Sequence, residues 1–244
     1  MRYLMTFSYD GTLYNGYQKQ PDKNTIQDKI EESLTKINNN EFVSLVATGR
    51  TDKGVHALNQ KAHFDLNTNI RTDKLKLALN SMLPNDIYIK DICNIDNDFH
   101  ARFKVLKKEY VYKINLGEYN PIDRNYIYQY NKKLNIKAMK KAIKFFVGNH
   151  NFKSFTSSDD IRESYDRIIY NAKIECKKDI ISIIFIGNGF LRYMVRNMVG
   201  TLIEIGEGIK KPKDIQFILD ARDRTQAGKT APAEGLYLKN VYYK

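Results

Sequence analysis

Alternating and helical patterns of hydrophobic residues divide the first part of the chain into six elements. Apolar or aromatic residues at every second position from Tyr3 to Tyr9 predict a half-buried strand, and Asp10-Gly11 predicts the turn after it. Thr25 with Asp28 resembles a capping box, and the apolar spacing that follows predicts a helix reaching Ile37. The remaining predicted elements are a strand ending at Thr48, a strand from Lys61 to Leu66, a helix from Thr72 and a strand from Ile87 to Ile92. This βαββαβ order is typical of a ferredoxin-like unit.

The second part of the chain roughly repeats that succession. Its predicted elements are strand Glu109 to Leu116, a helix from Ile136, strands Arg167 to Cys176 and Ile180 to Ile186, a long helix from about Phe190, a shorter one after Pro212, and a closing strand Leu236 to Tyr243. We therefore predict the α+β class, with two ferredoxin-like (RRM-like) αβ halves at residues 1–104 and 105–244. A central cleft between the halves is the expected site.

Composition favours a polyanionic partner. The chain has 40 Lys plus Arg against 28 Asp plus Glu, a net charge of +12, so nucleic acid is the expected partner. A general lysine bias of the composition is the competing interpretation. Lys107, Lys108, Tyr110 and Tyr112 interleave cations with rings that can stack on bases, although the same alternation also fits an ordinary strand.

The positions of cysteines, histidines and apolar residues bear on localisation, membrane association and metal binding. Cys93 and Cys176 lie far apart and the first residues have no signal-peptide core, which favours a reducing cytoplasm. No apolar run approaches the roughly 20 residues of a membrane helix, so we expect no membrane association. The four histidines show no spacing typical of a zinc site, so we expect no metal.

The stretch from Gly49 to Ala57, GRTDKGVHA, is the strongest candidate for chemistry. It follows a short apolar run and contains Asp52 between the basic residues Arg50 and Lys53. A loop held by a rigid scaffold commonly carries catalytic groups, and a neighbouring cation would keep the carboxyl ionised. A surface turn whose aspartate only caps or pairs locally is the alternative.

Seven ordered motifs over nearly the whole chain resemble the TruA-type tRNA pseudouridine synthases. They are Tyr9-Asp10-Gly11-Thr12 with Gly16 and Gln18, GRTDKGVHA, FHARF at Phe99 to Phe103, Lys108 to Tyr112, Asn151-Phe152 with Ser154-Phe155, GFLRYMVRNMVG at Gly189 to Gly200, and DRTQAGKTAPAEGLYL at Asp223 to Leu238. Tyr17 departs from the family pattern, where Trp is frequent, and Lys53 stands where Ala is common. Neither departure removes a group that the chemistry needs.

The resemblance implies the pseudouridine synthase fold and the isomerisation of uridine to pseudouridine at positions 38 to 40 of the tRNA anticodon stem-loop. By similarity Asp52 is the essential carboxylate, acting either as a nucleophile or as a base. A uridine inside a stem must be flipped out, and the family position makes Arg50 the residue that enters the vacated space. A phosphate contact by Arg50 is the alternative. No cofactor is implied.

Three further positions carry family roles, and two residues lie beside the last of them. Tyr110 matches the tyrosine that packs against the target base, with a plain core role as the alternative. Arg196 matches the partner of Asp52, and otherwise its side chain reaches solvent. Arg102 resembles a tRNA-contacting residue beside His100 and Phe99.

The family is homodimeric, so a homodimer is expected. Two other functions stay open on sequence alone: a non-catalytic RNA-binding or chaperone protein, and a metal-dependent nuclease, which needs several carboxylates around magnesium. The sequence does not indicate which tRNAs or which uridines are chosen.

Overall fold

The computed structural model describes residues 1–243. The strands are β1 Arg2–Tyr9, β2 Val46–Ala47, β3 His56–Asp65, β4 Ile87–Asn94, β5 Val105–Asn115, β6 Tyr128–Gln129, β7 Gly148–Asn151, β8 Asp166–Lys177, β9 Ile180–Gly187 and β10 Leu236–Tyr243. The helices are α1 Ile26–Ile37, α2 Thr72–Met82, α3 Ile136–Ala142, α4 Met194–Gly206 and α5 Asp214–Ala221. These elements confirm the predicted α+β class. They form two compact units, Met1–Leu106 with residues 237–243, and Lys107–Leu236.

The first unit follows the predicted βαββαβ order. Its central strand β1 pairs antiparallel with both β3 and β4, and the short β2 pairs antiparallel with β3. The C-terminal strand β10 joins this unit by pairing in parallel with β3, with Tyr237 opposite His56 and Leu238 opposite Ala57. The side chains of β1 alternate between buried and half-buried, which gives the sheet one fully covered face.

Thr25 caps the start of α1 as predicted, and Asp28 binds the hydroxyl of Thr25. Thr25 Oγ1 accepts a hydrogen bond from the Asp28 N–H at 3.2 Å and donates to the Asp28 carboxylate at 2.5 Å. These bonds satisfy an N–H group that a helix start leaves without an intrahelical partner. Ile26, Ile30 and Leu34 are buried on one side of the helix, which fixes the face that packs on the sheet.

The second unit is an antiparallel sheet in the order β5, β9, β8, β7, with β6 added in parallel to β5. Its core is rich in phenylalanine: Phe146 contacts both Phe155 and Phe185 edge to face, and Phe152 lies against Phe155. Helix α3 packs against α4. Because Met139 and Ala142 are its buried residues, the lysines of α3 remain on its outer side.

Three predicted features differ in the structure. The strand expected up to Thr48 is reduced to the two residues of β2, although Val43 and Leu45 are buried. Helix α4 starts at Met194 instead of about Phe190, because Tyr193 has φ +60°, outside the helical region. Strand β10, expected in a C-terminal half, lies in the first unit. Within residues 1–243, none of the helices is long and apolar enough to span a bilayer.

Candidate functional site

The loop that carries Asp52 connects β2 to β3 and is fixed at both ends. At its start, Thr48 bonds the carbonyl of Lys61 through its N–H at 2.9 Å and its hydroxyl at 2.7 Å. At its end, the N–H of Val55 donates to the Asp52 carbonyl at 3.1 Å, and Gly54 supplies the φ of +77° that this turn requires. Asp52 is partly exposed and Arg50 is exposed, so both side chains are accessible on a constrained loop.

Two tyrosines of the N-terminal motif hold the residue before Asp52. The Tyr9 hydroxyl shares a buried hydrogen bond of 2.8 Å with Thr51 Oγ1, and the Tyr17 N–H donates to the Thr51 carbonyl at 3.1 Å. Burial raises the pKa of both phenols, so the two hydroxyls stay neutral. The backbone beside Asp52 is therefore anchored to the first strand and to the segment before α1.

Two glycines of the same motif allow the close approach. A Cβ on Gly11 would lie 2.1 Å from the Val55 carbonyl oxygen, which no side chain could tolerate. Gly16 has φ +96°, and a Cβ there would lie 3.0 Å from the Thr51 carbonyl oxygen. Both positions need glycine because the N-terminal segment lies directly against the Asp52 loop.

His56, the first residue of β3, links the motif to the loop's end. Its Nδ1 accepts the Gly11 N–H at 3.1 Å and lies 3.1 Å from Asp10 Oδ1, and its ring stacks on Tyr237 with centroids 4.8 Å apart. Asp10 is itself oriented by Thr12, whose N–H and hydroxyl both donate to Oδ1. The motif resemblance assigned no role to Asp10 and Gly11. In the structure these residues bind His56 and thereby hold the end of the Asp52 loop.

The FHARF motif forms a turn after β4 that brings three predicted residues together. Phe99 and His100 are half-buried and Arg102 is exposed. The Phe103 and Lys104 N–H groups both donate to the His100 carbonyl, at 3.1 and 3.0 Å. The turn thus presents Arg102 to solvent beside a compact group of rings.

In the second unit, Tyr110 lies on β5 with only 7% of its surface exposed. It sits opposite Phe185 in the β5–β9 ladder and meets Phe190 edge to face, with ring centroids 4.9 Å apart. These contacts fix the orientation of the phenol ring. A fixed, largely apolar ring is what packing against a base requires.

Arg196 projects from the first turn of α4 and is tied to the segment before β10. Its Nε donates to the Ala231 carbonyl at 2.8 Å, and the Ala231 N–H donates back to the Arg196 carbonyl at 3.1 Å. The guanidinium carbon also lies 5.2 Å from the Tyr193 ring centroid, a favourable cation–π distance. The hydrogen bond from Nε and the contact with Tyr193 therefore restrain the position of the guanidinium.

Asn197, which the sequence analysis did not single out, organises the surroundings of Arg196. It is fully buried, donates to the Phe155 carbonyl at 2.7 Å, and accepts from Arg224 at 3.0 Å and Thr230 at 2.7 Å. Its neighbour on the next turn, Thr201, accepts the Gly228 N–H at 2.8 Å. The sequence carried a signal for this group, because Asn197, Arg224 and Thr230 belong to the last two quoted motifs and Asn197 is a polar residue in an apolar helix.

Within residues 1–243, no group of three His, Cys, Asp or Glu side chains gathers in a metal-binding arrangement. Cys93 and Cys176 are exposed free thiols. The candidate residues thus comprise acids, cations, rings and hydroxyls, with Asp52, Arg50, Phe99, His100 and Arg102 in the first unit. Tyr110 and Arg196 lie in the second unit.

Comparisons with known proteins point to one family. A family model described as tRNA pseudouridine synthase matches residues 5–104 and 142–244. These ranges contain every candidate residue except Tyr110. A tRNA pseudouridine synthase A from Caldicellulosiruptor bescii is 47% identical over 241 residues, covering 98% of each chain. A protein of the same name from Geobacillus sp. (strain WCH70) is 44% identical over 243 residues, covering 99% of this chain and 98% of its own.

Solved structures add little to these sequence matches. A Cbf5-Nop10-Gar1 complex aligns with 82% of this chain and 45% of its own, at 12% identity and a TM-score of 0.35. That likeness is too weak to support any argument about this chain.

Proposed function

The chain belongs to the tRNA pseudouridine synthase family, and from that premise we propose that it converts uridine to pseudouridine at positions 38, 39 and 40 of the tRNA anticodon stem-loop. The reaction is an isomerisation: the N1–C1′ bond of the uridine breaks and a C5–C1′ bond forms. A proton leaves C5 to water while N1 gains one. Electrons balance without an oxidant or a reductant.

We propose Asp52 as the essential carboxylate. The observation that carries this role is the anchoring of its loop: Thr51 is held by Tyr9 and by Tyr17, while the Asp52 side chain stays partly exposed. A reacting group must be accessible and yet held near one geometry. The carboxylate would either attack the ribose or base as a nucleophile or abstract a proton.

The other catalytic and base-handling roles follow from the motif positions. We propose Arg196 as the second catalytic residue, since its bond to Ala231 keeps the guanidinium in place. Arg50 would fill the space of the flipped uridine from the Asp52 loop. Tyr110 would pack against the target base with its fixed ring.

The expected partners belong to the same proposal. Arg102, with Phe99 and His100, would contact the tRNA through its backbone, which positions the RNA without reading its sequence. The protein would act as a homodimer in the cytoplasm, where the tRNA substrate is found.

The test uses tRNA transcripts tritiated at uridine C5, incubated in EDTA with the wild type, Asp52→Asn and Lys53→Ala. Formation of the C5–C1′ bond expels the label into water. We expect release by the wild type and by Lys53→Ala, which places at this exposed position the residue that is common in the family, and a loss of at least about 10²- to 10⁴-fold for Asp52→Asn. Mapping the product should place pseudouridine at positions 38 to 40.

Binding of each protein to the same tRNA completes the experiment. Unchanged binding by Asp52→Asn with lost release would assign the chemistry to Asp52. Tight binding by the wild type without release from any tRNA would instead leave an RNA-binding protein. Release that requires a divalent metal would contradict the proposed mechanism.

A further inference from the structure

Phe103, the last residue of FHARF, has 77% of its surface exposed. Exposing a phenylalanine ring to water costs hydrophobic free energy. Scattered apolar residues on a surface need no explanation by themselves. The surroundings of Phe103 make this ring unusual.

The turn below Phe103 is held from three sides. The Ala101 N–H donates to His63 Nδ1 at 3.1 Å, and the Ala101 carbonyl accepts from the Tyr243 hydroxyl at 2.9 Å. Arg2 donates to the Phe99 carbonyl at 2.9 Å while its fork also binds the Asp65 carboxylate at 2.8 and 2.9 Å. An exposed ring on so constrained a backbone loses little conformational entropy when it binds a partner.

One face of the ring is already stacked. Phe103 lies on His100 with centroids 4.2 Å apart and planes inclined by 26°, and His100 in turn meets His63 at 4.9 Å. Because His100 covers only one face, the high exposure of Phe103 leaves the opposite face open. The stack of rings therefore ends in an accessible aromatic surface.

Cations flank that surface. Arg102 and Lys104, the residues on either side of Phe103, are both exposed. Within residues 1–243, the ion pair made by these two cations joins the Lys104 amine to the Asp98 carboxylate at 3.9 Å, a long contact between exposed side chains. Such pairs contribute little and exchange readily. An open ring between two cations complements a nucleobase and its phosphates.

We propose that the open face of Phe103 is a stacking site for an unpaired nucleobase of the tRNA substrate, with Arg102 and Lys104 meeting the adjacent phosphates. This inference rests on the proposed function and adds to it a residue that binds RNA without taking part in the chemistry. Base–aromatic stacking tolerates any base, because each has a π-face. The site would therefore strengthen tRNA binding irrespective of the base that it holds.

Two other exposed phenylalanines differ from Phe103 in their surroundings. Phe42 and Phe217 are similarly exposed, at 65% and 64%. The Phe42 ring is covered by the Lys19 amine at 4.7 Å from its centroid, and Phe217 projects from α5 with no ring stacked on it in the described residues. Phe217 is thus the matched control, because its ring is similarly exposed but has neither the stack nor the flanking cations.

The first experiment measures tRNA dissociation constants for Phe103→Ala, Phe103→Leu, Phe103→Tyr and Phe217→Ala. We expect Phe103→Ala to weaken binding about 5- to 150-fold, the range measured for loss of one base–aromatic stack. Phe103→Tyr should bind as the wild type does, and Phe103→Leu should resemble the alanine variant. The affinity for tRNA and the rate of tritium release should both stay unchanged in Phe217→Ala.

A second experiment reads the contact directly. The chain contains no tryptophan, so Phe103→Trp and Phe217→Trp each introduce a single fluorescent reporter. Stacking on a base should quench the Trp fluorescence of Phe103→Trp saturably as tRNA is added, and leave that of Phe217→Trp unaffected.

Three outcomes would overturn the inference: unchanged affinity in Phe103→Ala, full affinity in Phe103→Leu, or loss of a dimeric mass in Phe103→Ala, which would make this surface an interface between copies of the chain. A wild type that binds tRNA without releasing tritium would overturn the proposed function alone. The affinities and the quenching would still decide the role of Phe103.

Discussion

At the scale of single residues, two buried tyrosine hydroxyls near the Asp52 loop differ in one respect. The Tyr9 hydroxyl is bonded to Thr51, whereas that of Tyr17 has no hydrogen-bond partner within residues 1–243. A buried unpaired hydroxyl costs roughly 1–3 kcal/mol, and a paired one contributes about 1 kcal/mol. We expect Tyr17→Phe to raise the free energy of unfolding by about 1 kcal/mol and Tyr9→Phe to lower it by a similar amount, as measured by urea denaturation.

The same pair of variants tests the support of Asp52. Tyr9→Phe frees Thr51 and should slow tritium release at saturating tRNA, while Tyr17→Phe keeps its backbone bond to Thr51 and should leave the rate unchanged. Equal stabilities for the two variants would show that a hydrogen bond to the Tyr17 hydroxyl forms in solution.

His63 gives a second prediction, on pH. Burial, with the nearby Arg2 and His100 charges, lowers the pKa of His63 from its ordinary value of 6.5 to about 4. The unfolded chain therefore binds this proton more readily than the folded chain between pH 6.5 and 4. The contribution of neutral His63 to the free energy of unfolding is fully present above pH 6.5. It falls by up to about 3 kcal/mol as the pH drops to 4.

The control is His63→Asn, which offers the Ala101 N–H an acceptor that does not titrate. Urea denaturation of both proteins across this pH window separates His63 from the carboxylates, which titrate in both. A smaller loss of stability in the variant is expected, and parallel pH profiles would show that His63 is not the group responsible.

At the scale of elements, α4 and the segment before β10 fit together through a glycine. A Cβ on Gly200 would lie 1.6 Å from the Lys229 carbonyl oxygen, so the backbone itself blocks any larger residue. The atoms nearest to a Cβ on Gly206, in the same helix, belong to the side chains of Met139 and Leu134, at 2.9 to 3.1 Å. Flexible side chains can move aside, whereas this backbone is held by Asn197 and Thr201.

Gly200→Ala should therefore destabilise the protein by about 2–3 kcal/mol, while Gly206→Ala should stay within about 1 kcal/mol of the wild type. Gly200 lies inside α4 and gains at least as much helix propensity from alanine as Gly206, the last residue of the helix, so propensity cannot account for a larger loss in Gly200→Ala. Urea denaturation gives the stabilities. Because Arg196 is bonded to Ala231 of the displaced segment, only Gly200→Ala should also slow tritium release at saturating tRNA.

The spacing of apolar residues predicted the type and bounds of a helix or strand well where neighbours in sequence determine them. The helix from Thr72 and the strands around Ile87, Arg167 and Ile180 have the predicted types and nearly the predicted bounds, since side-chain periodicity depends on neighbours in sequence. The start of α4 could not be predicted, because the left-handed conformation of Tyr193 leaves no mark on the apolar spacing.

At the scale of the whole molecule, the contacts that hold the candidate residues are mostly long-range and lie beyond sequence reasoning. The motif spacing indicated Asp52, but the bond from Tyr9 to Thr51 joins residues 42 positions apart. Strand β10 likewise pairs with β3 from the opposite end of the chain. Motif resemblance indicated which residues matter, while the structure shows what orients them.

The net charge of +12 gives the last prediction, on salt. Four lysines of the segment Ile136–Phe146, at spacings of three, one and three, lie on its exposed side: Lys137, Lys140, Lys141 and Lys144. No ion pair involves any of the four within residues 1–243, and like charges at such spacings destabilise a helix slightly. Their contribution to stability is therefore unfavourable, which is compatible with a role toward a polyanion.

The affinity for tRNA should fall at least about tenfold between 50 and 200 mM salt, because each neutralised phosphate releases counterions. Lys140→Gln/Lys144→Gln should bind more weakly and show a shallower dependence of log Kd on log salt, while unfolding at the same or a slightly higher urea concentration. The control is Lys36→Gln/Lys173→Gln, whose lysines already pair with Glu32 and Glu175 at 2.8 and 2.6 Å. Equal slopes for the two double variants would mean that these four lysines are ordinary solvated charges and that other residues contact the phosphates.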